Sequence, residues 1–312
     1  MKRICYLTLV QLFCVGICSA QNPRWKLVDE TPIPPHVNLD VRWTASTKTL
    51  PSKVWVYHLL PYHFSAEAIS NVIMGCSFTE QEVKARKGNE VYFADKTGRK
   101  LSISASGSIH FETPEAKFSP TKLAQGVPLM SELPGLATNF VRQIGIPISE
   151  VMGYFETDKF NFSEPLTMYY VGDTTITNIA FRSIKFRRSV DRIPFVGGDG
   201  ASVDIGEYGK PARIDVTWHD LKRFKSYPTV SQKTIIGFLR QGKTFQGLLP
   251  MSIGAIDWSA VKSVTIKKVL PCYFAGNTEN IYPFLVLFAT LDNGQESVDV
   301  QIECPMIDET KL

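Results

Sequence analysis

The stretch from Ile193 to Phe224, IPFVGGDGASVDIGEYGKPARIDVTWHDLKRF, decides how the rest of the chain is interpreted. Within it, Ser202 to Gly206 and Ala212 to Trp218 alternate polar and apolar residues. The segment between them, Glu207-Tyr208-Gly209-Lys210, has the composition of a turn. Period-two alternation on both sides of a short turn predicts a β-hairpin at this place.

Three glycines, Gly197, Gly198 and Gly200, surround Asp199 just before this hairpin. Glycine at this density permits a tight change of direction, and it also occurs in loops that bind phosphate. A phosphate loop opens a helix whose N-terminus binds the anion, whereas the period of two continues after Gly200. The sequence therefore argues against nucleotide binding here.

The first 20 residues have the pattern of a secretory signal peptide. Lys2 and Arg3 precede an apolar run from Ile4 to Ile17, and the small residues Ser19 and Ala20 suit a cleavage site. The run is shorter than the roughly 20 apolar residues of a spanning helix. We expect cleavage near Ala20 and a secreted or periplasmic mature chain without a transmembrane helix. Lipid anchoring is the weaker alternative, because a lipidated cysteine follows a small residue, whereas Cys14 follows Phe13 and Cys18 follows Ile17.

The net charge of the chain does not indicate a particular class of partner. Removal of Lys2 and Arg3 with the signal peptide lowers the formal net charge from +4 to +2. Binding to nucleic acid or to an anionic membrane usually requires a larger basic excess on one face. We therefore expect another secreted or membrane protein as the partner, and no nucleic acid.

Three cysteines, Cys76, Cys272 and Cys304, remain after cleavage. Cys272 and Cys304 lie in or beside strand-like segments, so they are the possible disulfide. In a simple meander, however, an intervening strand would separate them by roughly 9 to 10 Å, whereas a bridge needs Cα atoms within about 7 Å. Burial of all three as small apolar residues is the open alternative. The sequence contains no C-x-x-C pair, which is the spacing typical of a zinc site.

Three helices are predicted from one pair of signals, a capping serine and a terminating glycine. The pairs are Ser65 with Gly75, Ser131 with Gly145, and Ser231 with Gly242. Alternating or β-branched runs follow each helix, which predicts an antiparallel meander after each. Helices set against antiparallel sheets indicate an α+β fold with one helix packed on each sheet.

The same pattern gives the expected domain organisation. Residues 1–20 form the signal peptide, and the Pro-rich residues 21–49 form an extended segment. Residues 50–125 form a first α+β domain, and residues 126–312 form a second one with two helix-plus-meander units.

Besides the helix-plus-meander pattern, the sequence contains several short motifs. They are Ile193-Pro194-Phe195-Val196-Gly197-Gly198, Tyr208-Gly209-Lys210, Trp218 followed by Leu221, and Tyr282-Pro283-Phe284-Leu285-Val286. Together they resemble the secreted PepSY-like and cystatin-like domains of bacteria, especially extracytoplasmic regulators of the YycH/YycI type, over about residues 50 to 304. The resemblance implies curved antiparallel sheets that wrap helices, and binding or inhibition without catalysis. Those regulators are held at the membrane by an N-terminal helix, whereas Ser19-Ala20 indicates cleavage.

The histidines offer few arrangements that suit catalysis. The candidates are His58, His63, His110 and His219. Pro61 lies between the first two and excludes a metalloprotease helix there. His219 beside Asp220 is interpreted as a polar pair at a strand end. A hydrolase would need at least two of these histidines in one cleft with a carboxylate.

Two groups of charged residues are also candidates. Asp199, Asp204 and Glu207 lie among glycines but lack the regular spacing of a calcium loop, so they are expected to be solvated turn acids. The densest basic run consists of Arg182, Lys185, Arg187, Arg188 and Arg192. Arg187 and Arg188 must face opposite sides of a strand, which argues against one anion-binding surface.

The sequence thus predicts no catalytic residue, no cofactor and no metal site. The leading hypothesis is a secreted, non-catalytic binding or regulatory protein that contacts another extracytoplasmic protein through a sheet edge or a concave sheet face. One alternative is a structural component of an envelope, which would show a long unprotected edge strand or a large apolar patch. The other is a hydrolase with a dispersed site.

Overall fold

The structure is a computed structural model of the 312-residue chain. It describes residues 31–48, 50–79, 83–87, 90–114, 124–153, 158–171, 174–196, 198–247, 256–274 and 279–308. The expected signal peptide lies outside these residues.

Strands make up most of the regular structure. In chain order they are β1 (Thr31–Pro32), β2 (Asp40–Trp43), β3 (Lys53–Pro61), β4 (Val83–Lys87), β5 (Glu90–Ala94), β6 (Lys100–Ile103), β7 (Ser108–Glu112), β8 (Val151–Met152), β9 (Asn161–Ser163), β10 (Leu166–Val171), β11 (Thr174–Ile179), β12 (Arg182–Val190), β13 (Ile193–Val196), β14 (Gly200–Ile205), β15 (Pro211–Thr217), β16 (His219–Pro228), β17 (Phe245–Gln246), β18 (Ser263–Phe274), β19 (Asn280–Asp292) and β20 (Ser297–Pro305). The α-helices within the described ranges are α1 (Ala66–Gly75), α2 (Leu133–Gln143) and α3 (Gln232–Gln241).

The first large ladder is antiparallel. Its strands follow the order β4, β5, β6, β7, β15, β14 and β12, and both β8 and β9 pair with β12. The predicted hairpin is confirmed in it as β14 and β15, which pair from Gly200 opposite Thr217 to Ile205 opposite Pro211. No helix follows Gly200, as the period of two predicts.

The second ladder is mixed. Strands β18, β19, β20, β17 and β1 pair antiparallel in that order, whereas β2 and β13 both pair parallel with β18. The first residues of β19 also pair with β3, and β3 pairs with β16 along its whole length. The meander predicted after the third helix is confirmed as β18, β19 and β20.

The expectation of an α+β fold, with each antiparallel sheet packed with a helix, is wrong. The protein is instead rich in strand, and its large sheet is mixed. Helices of 10, 11 and 10 residues are too short to cover ladders of this width. Caps revealed where helices begin, but they carried no information on how much sheet surrounds each helix.

The helix ends follow the predicted signals in part. Ser65 and Ser231 cap α1 and α3 through their side chains, and Gly242 ends α3 with φ 70°. The cap of α2 is Glu132 and not Ser131. At the end of α1 the left-handed residue is Ser77, with φ 58°, and not Gly75.

Apolar side chains form two cores. Core 1 is built from β3, β13, α3, β18, β19 and β20, with Trp258 and Met306. Core 2 is built from α1, β5, β6, β7, α2, β12, β14 and β15, with Trp218. Residues from both predicted domains contribute to core 2. The domain boundary near residue 125 stays a prediction.

The chain passes between the two cores four times among the described residues. It does so after β3, between β12 and β13, between β13 and β14, and between β15 and β16. At the last crossing the Trp218 N–H donates to the Gly107 carbonyl over 2.9 Å. A Cβ at Gly107 would overlap the Trp218 carbonyl, so this crossing requires glycine.

The possible disulfide partners lie on strands that flank β19. Cys272 on β18 is opposite Phe284, and Cys304 on β20 is opposite Leu285. Phe284 and Leu285 are neighbours and face opposite sides of the sheet, so the two cysteines do as well. A bridge between them would require the backbone to move. All three cysteines are buried, and burial raises the pKa of Cys76 to about 12.

Candidate functional site

A buried charge cluster ties together three of the four crossings between the cores. Arg188 lies at the end of β12, Asp199 lies between β13 and β14, and His219 begins β16. The side chain of Arg188 is 5% exposed and that of Asp199 is fully buried. We call Glu150, Arg188, Asp199 and His219 the junction cluster.

Arg188 is held on every side of its guanidinium group. Its Nη1 contacts Asp199 Oδ2 at 2.9 Å and donates to the His219 carbonyl. Its Nε and Nη2 lie 2.8 and 2.6 Å from Glu150 Oε2. Charge-assisted bonds of this kind compensate the cost of burying the ions.

Aromatic rings from both cores pack on the same guanidinium. Its central carbon lies 5.0 Å from the ring centroid of Trp218, in core 2, and 5.7 Å from that of Phe195, in core 1. Stacking on aromatic faces suits arginine and not lysine. Arg188 therefore bridges the two cores by packing as well as by charge.

The structure corrects two expectations at this cluster. Asp199 is not a solvated turn acid, since it accepts from Arg188, from the His219 N–H at 3.2 Å and from His219 Nδ1 at 2.6 Å. The partner of His219 is Asp199 and not Asp220, which is exposed. A buried carboxylate that orients a histidine is the geometry of an acid–base pair.

The other histidines do not join His219. His110 pairs with Asp215 at 2.6 Å, and His58 packs against Phe224 with ring centroids 4.5 Å apart. His63 is exposed. The cleft of about 500 Å³ beside the junction cluster is lined by none of the four histidines.

A cleft of about 500 Å³ opens beside the junction cluster. We call it the junction cleft; its charged and phenolic lining consists of Tyr57, Glu150, Arg188, Asp191, Arg192 and Arg223. The face of the β3–β16 pair forms one wall, since Tyr57 and Arg223 are opposite each other in register. The end of β12 and the following turn form the other wall.

The turn at the rim of the cleft has an unusual backbone. Asp191 and Arg192 join β12 to β13 with φ values of 52° and 65°. Two-residue hairpin turns of this kind favour Asn-Gly, because a side chain is strained at positive φ. Such strain concentrates at functional sites.

Asp191 connects the turn to the opposite wall. It accepts from the Tyr57 hydroxyl at 2.7 Å and pairs with Arg223 at 3.2 Å. Burial, followed by the bond to Asp191, raises the pKa of Tyr57 to about 12. The side chain of Arg223 is 57% exposed, and its guanidinium carbon lies 5.1 Å from the ring centroid of Trp55. Arg192 is exposed, and its side chain forms no hydrogen bond or ion pair with the residues that the structure describes.

Strand β16 forms the outer edge of this region. Among the described strands it pairs with β3 alone, so its other side is an open edge. Seven of its ten residues are exposed, including Phe224, which sits in a bulge. Lys222, Arg223 and Lys225 make this edge basic.

The remaining predicted candidates are dispersed. Asp204 is buried and accepts from the Ser183 hydroxyl at 2.5 Å, so it is not a solvated turn acid either. Glu207 accepts from the Gln125 N–H at 3.3 Å. In the basic run Arg182 and Arg188 are buried and Lys185 is exposed, so the run forms no single surface.

Within the described ranges, no three His, Cys, Asp or Glu side chains are placed to hold a metal ion. None of the helices in the same ranges has the length and apolar character to cross a membrane.

Comparisons with known proteins give only distant likenesses. No family model and no curated protein matches the chain. Among solved structures, the chain is similar to an uncharacterized protein from Eubacterium rectale, with 10% identity, a TM-score of 0.45 and coverage of 87% of this chain and 88% of that one. It is also similar to the YpeB C-terminal domain of Bacillus megaterium, with 7% identity, a TM-score of 0.35 and coverage of 80% and 96%. Neither likeness assigns a family, and the sequence resemblance to PepSY-like domains stays a prediction.

Sequence reasoning missed the junction cleft. Its residues come from β3, the segment before β8, the end of β12 and β16, which meet only after the chain has crossed between the cores. One local signal was available: Asp191-Arg192 interrupts two strand-like segments at a two-residue spacing typical of a tight turn.

Proposed function

We propose that this chain is a non-catalytic binding protein that takes up an extended acidic segment of another extracytoplasmic protein along β16. The observation that carries the proposal is the open, basic edge of that strand. An exposed edge presents unpaired backbone groups that an added strand can satisfy, which is a common mode of peptide recognition.

The charges of the edge select the kind of segment. Lys222, Arg223 and Lys225 follow one another along the exposed half of β16 with the bulged Phe224 between them. Like charges on neighbouring strands repel and opposite charges attract, so an acidic segment pairs here and a basic one does not.

The same features protect the edge from indiscriminate pairing. Lysines and bulges are the devices that keep edge strands from joining one another. Two copies of β16 would bring six cations together, which disfavours self-association through this strand. This argues against a structural envelope component that assembles through β16, and it favours a partner of opposite charge.

A hydrolase is the rival function, and the observation that favours it is the His219–Asp199 pair. The side chain of His219 is 26% exposed and its Nδ1 is occupied by the buried carboxylate. Catalysis would require a nucleophile or a bound water within hydrogen-bond reach of the other ring nitrogen. His219 and Asp199 also serve the packing of the crossings, which accounts for their arrangement without catalysis.

The resemblance to extracytoplasmic regulators supports a secreted location, with the signal peptide removed near Ala20. In this setting the partner is a secreted protein or the exposed part of a membrane protein.

The test uses the mature chain, residues 21–312, and a capped ten-residue peptide that alternates glutamate with threonine. Its counterpart alternates lysine with threonine. Fluorescence anisotropy measures binding of each to the wild type, to Lys222→Glu/Lys225→Glu and to the matched control Lys96→Glu/Lys233→Glu. The control reverses two exposed lysines on the β5–β6 turn and on α3.

We expect the acidic peptide to bind the wild type and the control equally, and the β16 variant at least about tenfold more weakly, which equals about 1.4 kcal/mol. Added salt should weaken binding, because the charges are exposed. Equal binding of acidic and basic peptides, or no effect of the β16 variant, would contradict the proposal. A protein captured from the envelope by wild type and control, but not by the β16 variant, identifies the partner.

A further inference from the structure

The junction cleft lies on the face of the β3–β16 pair, next to the edge that receives the proposed segment. Leu221 and Arg223, two residues apart on β16, both line it. A strand added along β16 directs every second side chain to this face. One side chain of the bound segment therefore reaches the cleft.

The cations of the cleft differ in how far they are engaged. Arg188 uses its donors on Glu150, Asp199 and the His219 carbonyl. Arg223 contacts Asp191 through Nη2, and its guanidinium also interacts with the Tyr57 hydroxyl, while its side chain stays 57% exposed. The Arg192 side chain donates no hydrogen bond to any residue in the described ranges.

Each carboxylate that lines the cleft is paired with a cation. Glu150 is paired with Arg188, and Asp191 with Arg223 and the Tyr57 hydroxyl. Asp199 is fully buried behind Arg188 and does not reach the cleft. Of the charged residues that line the cleft, Arg192 is the one that has no ion pair with another described residue.

The backbone conformation at Arg192 also indicates that this side chain has a role in binding. Glycine adopts a φ of 65° without steric strain, whereas arginine does not. Arginine at this position therefore makes the local backbone conformation less favourable than glycine would. Among the described residues, its side chain has no hydrogen bond or ion pair that would offset the strain. A role in binding accounts for its presence.

We propose that the junction cleft holds one side-chain carboxylate of the bound segment between Arg192 and Arg223, and that Arg192 determines specificity for it. The inference rests on the proposed function. Arginine suits the task because its planar group presents paired donors to a carboxylate.

The test combines the capped acidic peptide with five versions in which one glutamate at a time is glutamine. Each is titrated against the wild type, Arg192→Gly and the control Ser77→Gly. Ser77 also has positive φ, at 58°, but lies at the end of α1 away from the cleft. Both glycine variants relieve strain, so a rise in Tm of about 2 °C is expected for each, and neither can lose binding through failure to fold.

For the wild type we expect one glutamate whose replacement weakens binding about tenfold more than any other. Arg192→Gly should bind the parent peptide about tenfold more weakly and should no longer distinguish that position, whereas Ser77→Gly should behave as wild type. Equal loss at all five positions, or unchanged binding by Arg192→Gly, overturns the inference while the effect of Lys222→Glu/Lys225→Glu still supports the proposed function. An uncapped all-glutamine peptide is titrated as well, and if it binds as tightly as the capped acidic peptide, a C-terminal carboxylate fills the cleft and the side-chain assignment is overturned. No binding of any acidic peptide overturns both proposals.

Discussion

Two arginine–carboxylate clusters lie side by side where the cores meet, and they differ in their access to water. In the first cluster the side chain of Arg188 is 5% exposed and that of its partner Asp199 is fully buried. In the second cluster the side chain of Arg223 is 57% exposed and that of its partner Asp191 is 43% exposed. The chemical groups are the same, but their energetic roles are not.

Burial determines which cluster holds the fold and which remains available to a ligand. A buried ion whose partner is removed has nothing to replace it, whereas an exposed ion recovers water. The junction cluster is therefore structural, and the exposed cluster can exchange an internal contact for a contact with a partner at little cost.

The largest expected effect comes from breaking the buried cluster. Arg188→Ala leaves Asp199 buried without its cation and removes the packing on Trp218 and Phe195. We expect the free energy of unfolding to fall by about 3 to 5 kcal/mol in urea titrations. Lys185→Ala, on the exposed face of the same strand, should change it by no more than about 0.5 kcal/mol. Equal effects of the two variants would show that burial does not separate the clusters.

A double-mutant cycle measures the coupling inside the buried cluster. Asp199→Leu removes the charge that Arg188→Met would leave unpaired, so the double variant should be more stable than the sum of the single effects predicts. We expect a coupling of about 2 kcal/mol by chemical denaturation. The same cycle on the exposed pair, with Arg223→Met and Asp191→Leu, should give less than about 1 kcal/mol. Similar couplings in the two cycles would contradict the comparison.

A third carboxylate sharpens the comparison, because Asp204 is buried against a hydroxyl group and not against a guanidinium. Burial raises its pKa above the ordinary value, despite the bond from Ser183 and the more distant cations. Its contribution to stability is therefore present below the unfolded pKa of about 3.9 and is lost as the pH rises through the folded pKa.

We expect Asp204→Asn to stabilise the protein at pH 7 by on the order of 1 kcal/mol, since the amide keeps an acceptor for Ser183 and carries no charge to desolvate. Thermal unfolding between pH 4 and pH 7 should show the gain over wild type shrinking as the pH is lowered. A gain that grows toward acid pH would show that the ionised carboxylate is favoured in the fold.

The features that sequence predicts well here are local. Ser65 and Ser231 cap helices through bonds that span three residues, and the hairpin of β14 and β15 forms between adjacent segments. The adjacency of Arg187 and Arg188 likewise argues against a single basic face, because neighbouring residues of a strand point to opposite sides.

The features that sequence missed depend on partners far along the chain. Asp199 sits among glycines, as a solvated turn acid does, and only the approach of Arg188 and His219 explains its burial. The prediction of the fold class was wrong for a related reason. β2 and β13 pair parallel with β18, and this pairing depends on tertiary structure and not on local sequence.

The smallest expected effect concerns Asp191, the exposed counterpart of Asp199. Asp191→Asn removes a half-exposed charge pair, which is worth about 0 to 1 kcal/mol, while asparagine tolerates the positive φ of this turn better than most residues. The free energy of unfolding should therefore change by less than about 1 kcal/mol.

A spectroscopic readout shows whether that exposed contact exists in solution. Burial is the first cause of the raised pKa of Tyr57 and the bond to Asp191 is the second, so Asp191→Asn should lower this pKa from about 12 without returning it to the ordinary value near 10. Ultraviolet titration of tyrosine ionisation, with Tyr57→Phe to identify the signal, measures the change. Because the folded pKa of Tyr57 is raised, its contribution to stability is complete below about pH 10 and is lost as the pH rises toward 12. The variant should lose that contribution at lower pH than the wild type, and an unchanged titration would show that Asp191 does not hold Tyr57 and that the two walls of the cleft are not joined through it.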